Sequence, residues 1–449
     1  MRWMLMLLIW VLATADIVGW ETSLGHGLSI KNVLLYVIAL ALLFRIALSG
    51  EFKLRLPIVH GCFALWVGYA LLSFIACAVI IYPTYDIKQS AIALKSQVID
   101  YALFFLAAFY GARDEEGGQF LTKTLAAAVG VCNLATIADV VGLTHFGVEV
   151  GTRGAEADRV FGVFGHANES GATIVCLLPM LVAAAVSSRG AARRLFWYAG
   201  ATASLTVLLL TVSRGAFVAA ALGYPIAVFL CRRHLPLSRV LAWVAIGGAT
   251  AVIALGIASV AVPQVGHLIV TRLVGAAGSV DLASASQGRT DIWWTAVSEM
   301  MAQPLTLLTG FGWNIYDSRF LYATHNEYLN QWFNLGIVGV GVFVILLVHM
   351  VRTARSAIDV ATAESRPYMI AVVFGVVALL VNVLSTNLTK PWPYIWLYLG
   401  MSMRIAVEIL ARGERRAVVP LREPAEKLMP GVPGIARVGV RGGRLIRHG

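Results

Sequence analysis

Apolar runs of nearly 20 residues recur along this chain from its first residues to about position 411. As an α-helix rising 1.5 Å per residue, such a run matches the ~30 Å hydrocarbon layer of a bilayer. Lipid offers no hydrogen bonds, so a spanning backbone must satisfy its own, which an open helical segment does and an open sheet does not. Charged residues make up only 13% of the chain and its mean hydropathy is +0.78, against ~25% charged in soluble domains. The pattern predicts an all-α polytopic membrane protein of about twelve transmembrane helices. These lie over residues 3–20, 32–48, 57–81, 94–112, 120–142, 168–187, 195–212, 216–231, 239–262, 328–350, 367–386 and 392–411. The segment 195–212 and its neighbour are separated only by Ser213-Arg214-Gly215, which reads as a tight helical hairpin.

Lys and Arg set the orientation. With the N-terminus in the cytoplasm and sides alternating, 25 of the 35 basic residues fall in cytoplasmic segments. Twelve spans then return the C-terminus to the same side. The formal charge of +11 therefore reflects topology and a basic tail, with no nucleic-acid role. Arg2, an apolar run and Ala13-Thr14-Ala15 resemble a signal peptide, but Ile17, Val18 and Trp20 extend the run into an uncleaved first helix. Residues 1–411 are expected to form the membrane domain. Residues 412–449, rich in Arg, Gly and Pro, read as a poorly ordered cytoplasmic tail. The five cysteines show no metal-ligand spacing and read as packing residues.

The outer side carries a large loop, 263–327, between the ninth and tenth spans. Within it Ile292, Trp293, Ala296, Val297 and Met300 share one face of a predicted helix that opens at Arg289 and stops before Pro304. A guanidinium at a helix N-terminus suits phosphate; the alternative is a surface helix whose arginine reaches lipid headgroups. Arg214 lies between two apolar runs, where a cation costs at least ~2.5–3.5 kcal/mol unless it faces a cavity or a partner. Asp100 and Asp139 are candidate partners. Thr324-x-x-Glu327 reads as a capping box at the start of the tenth span. That box puts His325 in the first helical turn, where the positive dipole end favours neutral imidazole able to accept a proton.

With these residues in place, the chain resembles the bacterial O-antigen ligase and polymerase superfamily. The resemblance rests on Ser213-Arg214-Gly215, Gly288-Arg289 before a Trp-containing helix, and Gly310-Phe311-Gly312-Trp313. It extends to His325-Asn326-x-Tyr328-Leu329 followed by Leu335-Gly336-Ile337-Val338-Gly339, and to the earlier Arg159…Gly162…Asn168 run. Asn334 stands where relatives often carry an acidic residue. The resemblance implies a membrane glycosyltransferase using an undecaprenyl-diphosphate-linked glycan donor, at the periplasmic face of the bacterial inner membrane. The acceptor is lipid A–core in a ligase or a lipid-linked repeat in a polymerase; transfer to protein is a third activity among relatives.

The residue chemistry fits. A departing diphosphate needs electrostatic stabilisation, and the chain has no Asp-x-Asp pair to hold a metal. Arg214 and Arg289 are the candidate diphosphate-binding residues without metal or cofactor, and His325 is the candidate catalytic base. Arg159, Arg272, Asn326, Tyr328 and Trp313 are candidate substrate-binding residues. Trp293 and Trp294 offer apolar faces to sugar rings or belong to an interfacial aromatic belt. A lipid-linked oligosaccharide flippase is the rival from another class, but no internal repeat of the transporter kind is visible in the sequence.

Overall fold

The computed structural model describes the chain except residues 19–22, 26–27, 50–54, 82–84, 147–158, 262–266, 268–287, 321–322, 389–391 and 419–449. The chain divides into two compact units, Met1–Leu410 and Ala411–Gly449. Of the expected tail, the described part to Val418 is helical and residues 419–449 lie outside the described residues.

Helix α1 (Arg2–Val18) leads through a short antiparallel ladder, β1 (Ser23–Gly25) with β2 (Leu28–Ser29), to α2 (Ile30–Ser49). Helix α3 (Pro57–Ala76) runs on into a π-helical turn, Cys77–Ile81. A second such turn, Lys95–Ile99, joins α4 (Ile87–Leu94) to α5 (Asp100–Gly111). Then come α6 (Glu115–Val140), α7 (Ala167–Val186), α8 (Ala191–Thr211), α9 (Arg214–Cys231) and α10 (Leu237–Ala261). The large loop holds three shorter helices, α11 (Arg289–Ala302), α12 (Leu305–Thr309) and α13 (Ile315–Arg319). The chain ends in α14 (Glu327–Val360), α15 (Arg366–Asn382) and α16 (Trp392–Val418).

Among the described residues the twelve expected segments are largely helical, and nine helices are long and apolar enough to cross a membrane. Helices α1 and α15 have 17 residues each, about 25 Å of rise, and α8 is not among the nine. The expected hairpin of α8 with α9 does not form: α9 packs on α15 and α7. Its buried face explains the choice. Ala216, Ala219, Gly223 and Ala227 recur every three or four residues, a stripe of small residues that lets helix backbones approach closely within lipid.

An aromatic core ties α3, α5, α14 and α16 together. Trp396 stacks on Trp392 at 5.4 Å and meets Phe63 edge-on at the same distance, with Trp66 at 6.4 Å. A second, smaller core forms beneath the loop helices. Ala296, Met300, Phe311, Ile315 and Tyr316 close over Leu329 and Phe333 of α14. The apolar face of α11 is therefore taken up by the chain's own residues.

Helix α14 breaks at Gly336, whose φ of 62° and ψ of −162° are open to glycine alone. The break turns the Phe333 and Asn334 carbonyls away from the helical ladder. They accept instead from Phe311 N (2.8 Å) and Gly312 N (3.1 Å). Asn334 Oδ1 accepts from Tyr316 N at 3.0 Å. The glycine motifs 310–312 and 335–336 are thus two halves of one joint, and Asn334 pins α13. Trp313 is buried there: its Nε1 donates to Ser90 O (3.0 Å) and its N to Ser73 Oγ (2.9 Å). Burial pushes the Tyr85 phenol up to about 12, so it stays a donor to Trp313 O at 2.8 Å.

Candidate functional site

The polar end of the bundle is assembled around the short loop that follows α15, Val383–Leu388. Arg159 braces the end of α8 that leads into the turn at 212–215. Its side chain, 2% exposed, donates from Nε to Thr211 O (2.8 Å) and from a terminal nitrogen to Asn168 Oδ1 (2.8 Å). The carbonyls at the C-terminus of α8 carry the negative end of its dipole, so a guanidinium fits there. Asn168 Oδ1 also accepts from Ser213 Oγ at 3.2 Å, linking Arg159 to the turn between α8 and α9.

That turn is tight because Val212 adopts left-handed φ (45°) and Ser213 caps α9, which leaves Arg214 as the first helical residue. Gly215 follows for a steric reason: a Cβ there would overlap the Ser385 hydroxyl. Arg289 reaches the same residue. It is the first residue of α11, behind Gly288 at φ 77°, and donates to Ser385 O at 2.8 Å. Arg289 and the turn that carries Arg214, each at a helix N-terminus, therefore meet at one loop residue. Free N–H groups, dipole ends and guanidinium groups all favour an anion in such a place.

The His325 segment joins the loop two residues on. Asn387 Nδ2 donates to Thr324 Oγ1 at 2.7 Å, and Glu327 N donates to Val383 O at 2.9 Å. Trp293, one turn into α11, donates from Nε1 to Thr324 O at 2.7 Å. The expected capping box is out of register. Asn326 is the N-cap, accepting from Leu329 N at 3.1 Å, and Glu327 is the first helical residue. His325 consequently stands ahead of the cap, half-buried, in left-handed backbone at φ 50°. Thr324 does not cap because its hydroxyl is engaged by Asn387. The Glu327 carboxyl, 6% exposed, accepts from Gln331 Nε2 (2.9 Å) and from the Leu388 backbone N–H.

Other expected residues lie elsewhere. Tyr328 packs inward, donating to Leu380 O at 2.7 Å, and Trp313 sits in the joint under α13. Asp100 is engaged by Lys95 (3.0 Å), Asn32 and Tyr36 (2.7 Å each). Asp139 accepts from Thr144 Oγ1 (3.2 Å) and Phe146 N (2.6 Å). Arg272 falls outside the described residues. Ser385 and Asn387 were not singled out from the sequence, where the expected segment 367–386 ends between them. Three polar residues in a row there were the available signal.

Residues 199–344, roughly a third of the chain, match the family model described as O-antigen ligase. The matched segment contains Arg214, Arg289 and His325, and it supports the O-antigen ligase and polymerase superfamily, whose members are membrane glycosyltransferases. No curated protein matches the chain.

Proposed function

We propose, on the premise of its O-antigen ligase domain, that this protein is a ligase-type glycosyltransferase. It moves a polysaccharide from undecaprenyl diphosphate to a hydroxyl of lipid A–core oligosaccharide at the periplasmic face of the bacterial inner membrane. The observation that carries this reading is the convergence of Arg289 and the Arg214–Gly215 turn on Ser385, with Thr324 held to the same loop by Asn387. That arrangement supports an anion subsite close to the His325 segment.

In the proposed step the acceptor oxygen attacks the anomeric carbon from the face opposite the diphosphate. A new carbon–oxygen bond forms as the bond to the diphosphate oxygen breaks. The bonding pair leaves on the diphosphate, and the hydroxyl proton passes to His325. One displacement inverts the anomeric centre. Arg214 and Arg289 stabilise the added negative charge by charge-assisted hydrogen bonds. Arg159, buried against Thr211 and Asn168, holds the Arg214 turn in place. A polymerase of lipid-linked O-antigen or exopolysaccharide repeats would use the same donor and displacement, with a different acceptor.

The test is the surface-glycan profile of a deletion strain, resolved on a gel and complemented with wild type, His325→Ala or Arg289→Ala. The ligase reading expects core without polymer and long chains retained on undecaprenyl diphosphate. A lost general base lowers turnover by roughly 10²–10⁴, so His325→Ala should fail to restore the ladder. Core bearing single repeats, with no long chains, would make the protein a polymerase. Full rescue by both variants would sink the catalytic assignment and favour transport.

A further inference from the structure

At the far end of the Val383–Leu388 loop, where Asn387 and Leu388 line a cavity, the chemistry of the walls changes. A cavity of about 130 Å³ is lined by Ala323 and Glu327, which flank the His325 segment in the chain, and by Asn387. Its polar lining is carboxyl and carboxamide, from Glu327, Asp317, Gln97, Asn330 and Gln331. Its apolar walls are aromatic, from Trp66, Tyr101 and Trp392. A second cavity of about 400 Å³ shares Gln97 and Asp317 with the first and adds Gln89, Ser90 and Asn314. No Lys or Arg lines either one among the described residues.

These walls have little with which to hold a diphosphate, which is bound by arginine, lysine or clustered N–H donors. They suit a polyol. Carboxyl and carboxamide groups present paired acceptors and donors that match neighbouring hydroxyls, and aromatic faces cover the apolar side of a sugar ring. The larger cavity is also within the ~300–1,000 Å³ of small-molecule sites. Part of the lining is held in advance. Trp66 Nε1 donates to Gln331 Oε1 (3.3 Å) and Gln331 Nε2 to Glu327 Oε1 (2.9 Å), so the inner wall keeps its geometry without ligand. Asp317 stands solvent-open at the shared boundary, and Asn314 Nδ2 is fixed on Ser90 Oγ at 3.2 Å.

We infer that the paired cavities around Gln97, Asp317 and Glu327 form a saccharide subsite that seats the acceptor sugar, distinct from the arginine subsite that holds the donor diphosphate. This rests on the glycosyltransferase reading above. It assigns the two substrates to different residues of one loop: the diphosphate against Ser385, the acceptor ring against Asn387, and His325 between them.

The test is binding, which needs no turnover. Full-length protein in phospholipid nanodiscs is titrated separately with two probes. One is core oligosaccharide released by mild acid from the deletion strain's lipopolysaccharide; the other is undecaprenyl diphosphate. Gln97→Ala and Asp317→Asn are each expected to weaken the oligosaccharide roughly tenfold, the loss of about one hydrogen-bonded contact, and to leave undecaprenyl diphosphate within twofold. Arg289→Ala should do the reverse. Melting temperatures within a few degrees of wild type show that the variants fold, and Gln97→Glu provides a second, isosteric variant should the alanine destabilise. The subsite is overturned if wild type does not bind the oligosaccharide, or if both probes weaken together in folded Gln97 and Asp317 variants. A failure of the glycosyltransferase reading looks different: His325→Ala would restore the ladder in cells while oligosaccharide binding and its dependence on Gln97 persisted.

Discussion

At the scale of single residues, Gly215 shows how the site depends on a missing side chain. A methyl there would strike the Ser385 hydroxyl and press on its Cβ at 3.2 Å, while Ser385 O is the acceptor that orients Arg289. Gly215→Ala should therefore displace Ser385 and lower polymer transfer by tenfold or more at unchanged protein level. Adding Ser385→Gly removes both obstructing atoms and keeps the carbonyl, so the double variant should recover most of the activity. Densitometry of the glycan ladder against immunoblotted protein reads the effect; equal defects in the single and double variants would show that Gly215 acts in some other way. Arg214, Arg289 and His325 stand out in the sequence as candidates because a charge or an imidazole at a membrane boundary is costly without a task. Ser385 and Asn387 do not, because a hydroxyl and an amide at a span's end are ordinary. Their roles arise from carbonyls and neighbours about 60 to 170 residues away in the chain.

Helices show a different balance of what local sequence decides. Periodicity and apolar length located the spanning segments and α11, since both are properties of contiguous residues. The start of α14 was misread because Thr324-x-x-Glu327 and Asn326 are both competent caps. A long-range contact, Asn387 on Thr324, selects between them. The break at Gly336 was equally hidden, for a glycine in an apolar run reads as a tolerated small residue. Its φ and ψ cost a residue with Cβ about 1–3 kcal/mol, and a Cβ would also overlap Leu308 O. Gly336→Ala should thus lower the melting temperature of the purified protein by several degrees and loosen the α12–α14 joint. Gly341, five residues on in the same helix, has nothing within 4 Å of its Cβ position. Gly341→Ala should be neutral or slightly stabilising, since glycine costs a helix interior about 0.5–1 kcal/mol relative to alanine. Equal melting temperatures for the two variants would refute a special conformation at Gly336. Asn326→Ala removes the true cap and should cost about 0.5–2 kcal/mol, whereas no such helix-capping loss is expected from Thr324.

For the whole molecule, polar contacts sort into two ends. At one, Arg2 pairs with Asp114 (2.7 Å), Arg55 with Glu408 (2.5 Å), His234 with Asp359 (2.7 Å), and Ser187 Oγ donates to Glu364 O (3.2 Å). At the other, Arg159 meets Thr211, Arg289 meets Ser385, and Asp16 accepts from Tyr394 (2.6 Å). Each pairing joins segments that alternation from a cytoplasmic N-terminus assigns to one side. Charge bias could assign a side to each loop, though not which loops would touch, because contact depends on how helices pack. The proposed orientation makes a testable claim about both ends. His145 is exposed beyond the C-terminus of α6, on the side of Arg159, and Ala192 is exposed at the start of α8, beside Arg189. Cys77, Cys132, Cys176 and Cys231 are buried and Cys62 is half-buried, so wild type supplies a low background. In cells with a permeabilised outer membrane, His145→Cys should react with a membrane-impermeant maleimide and Ala192→Cys should not. Opening the inner membrane should expose Ala192→Cys alone. The opposite pattern would put the arginine loop in the cytoplasm, on the wrong side for the proposed acceptor, and labelling of both positions from one side would mean that α7, which lies between them in the chain, does not cross the bilayer.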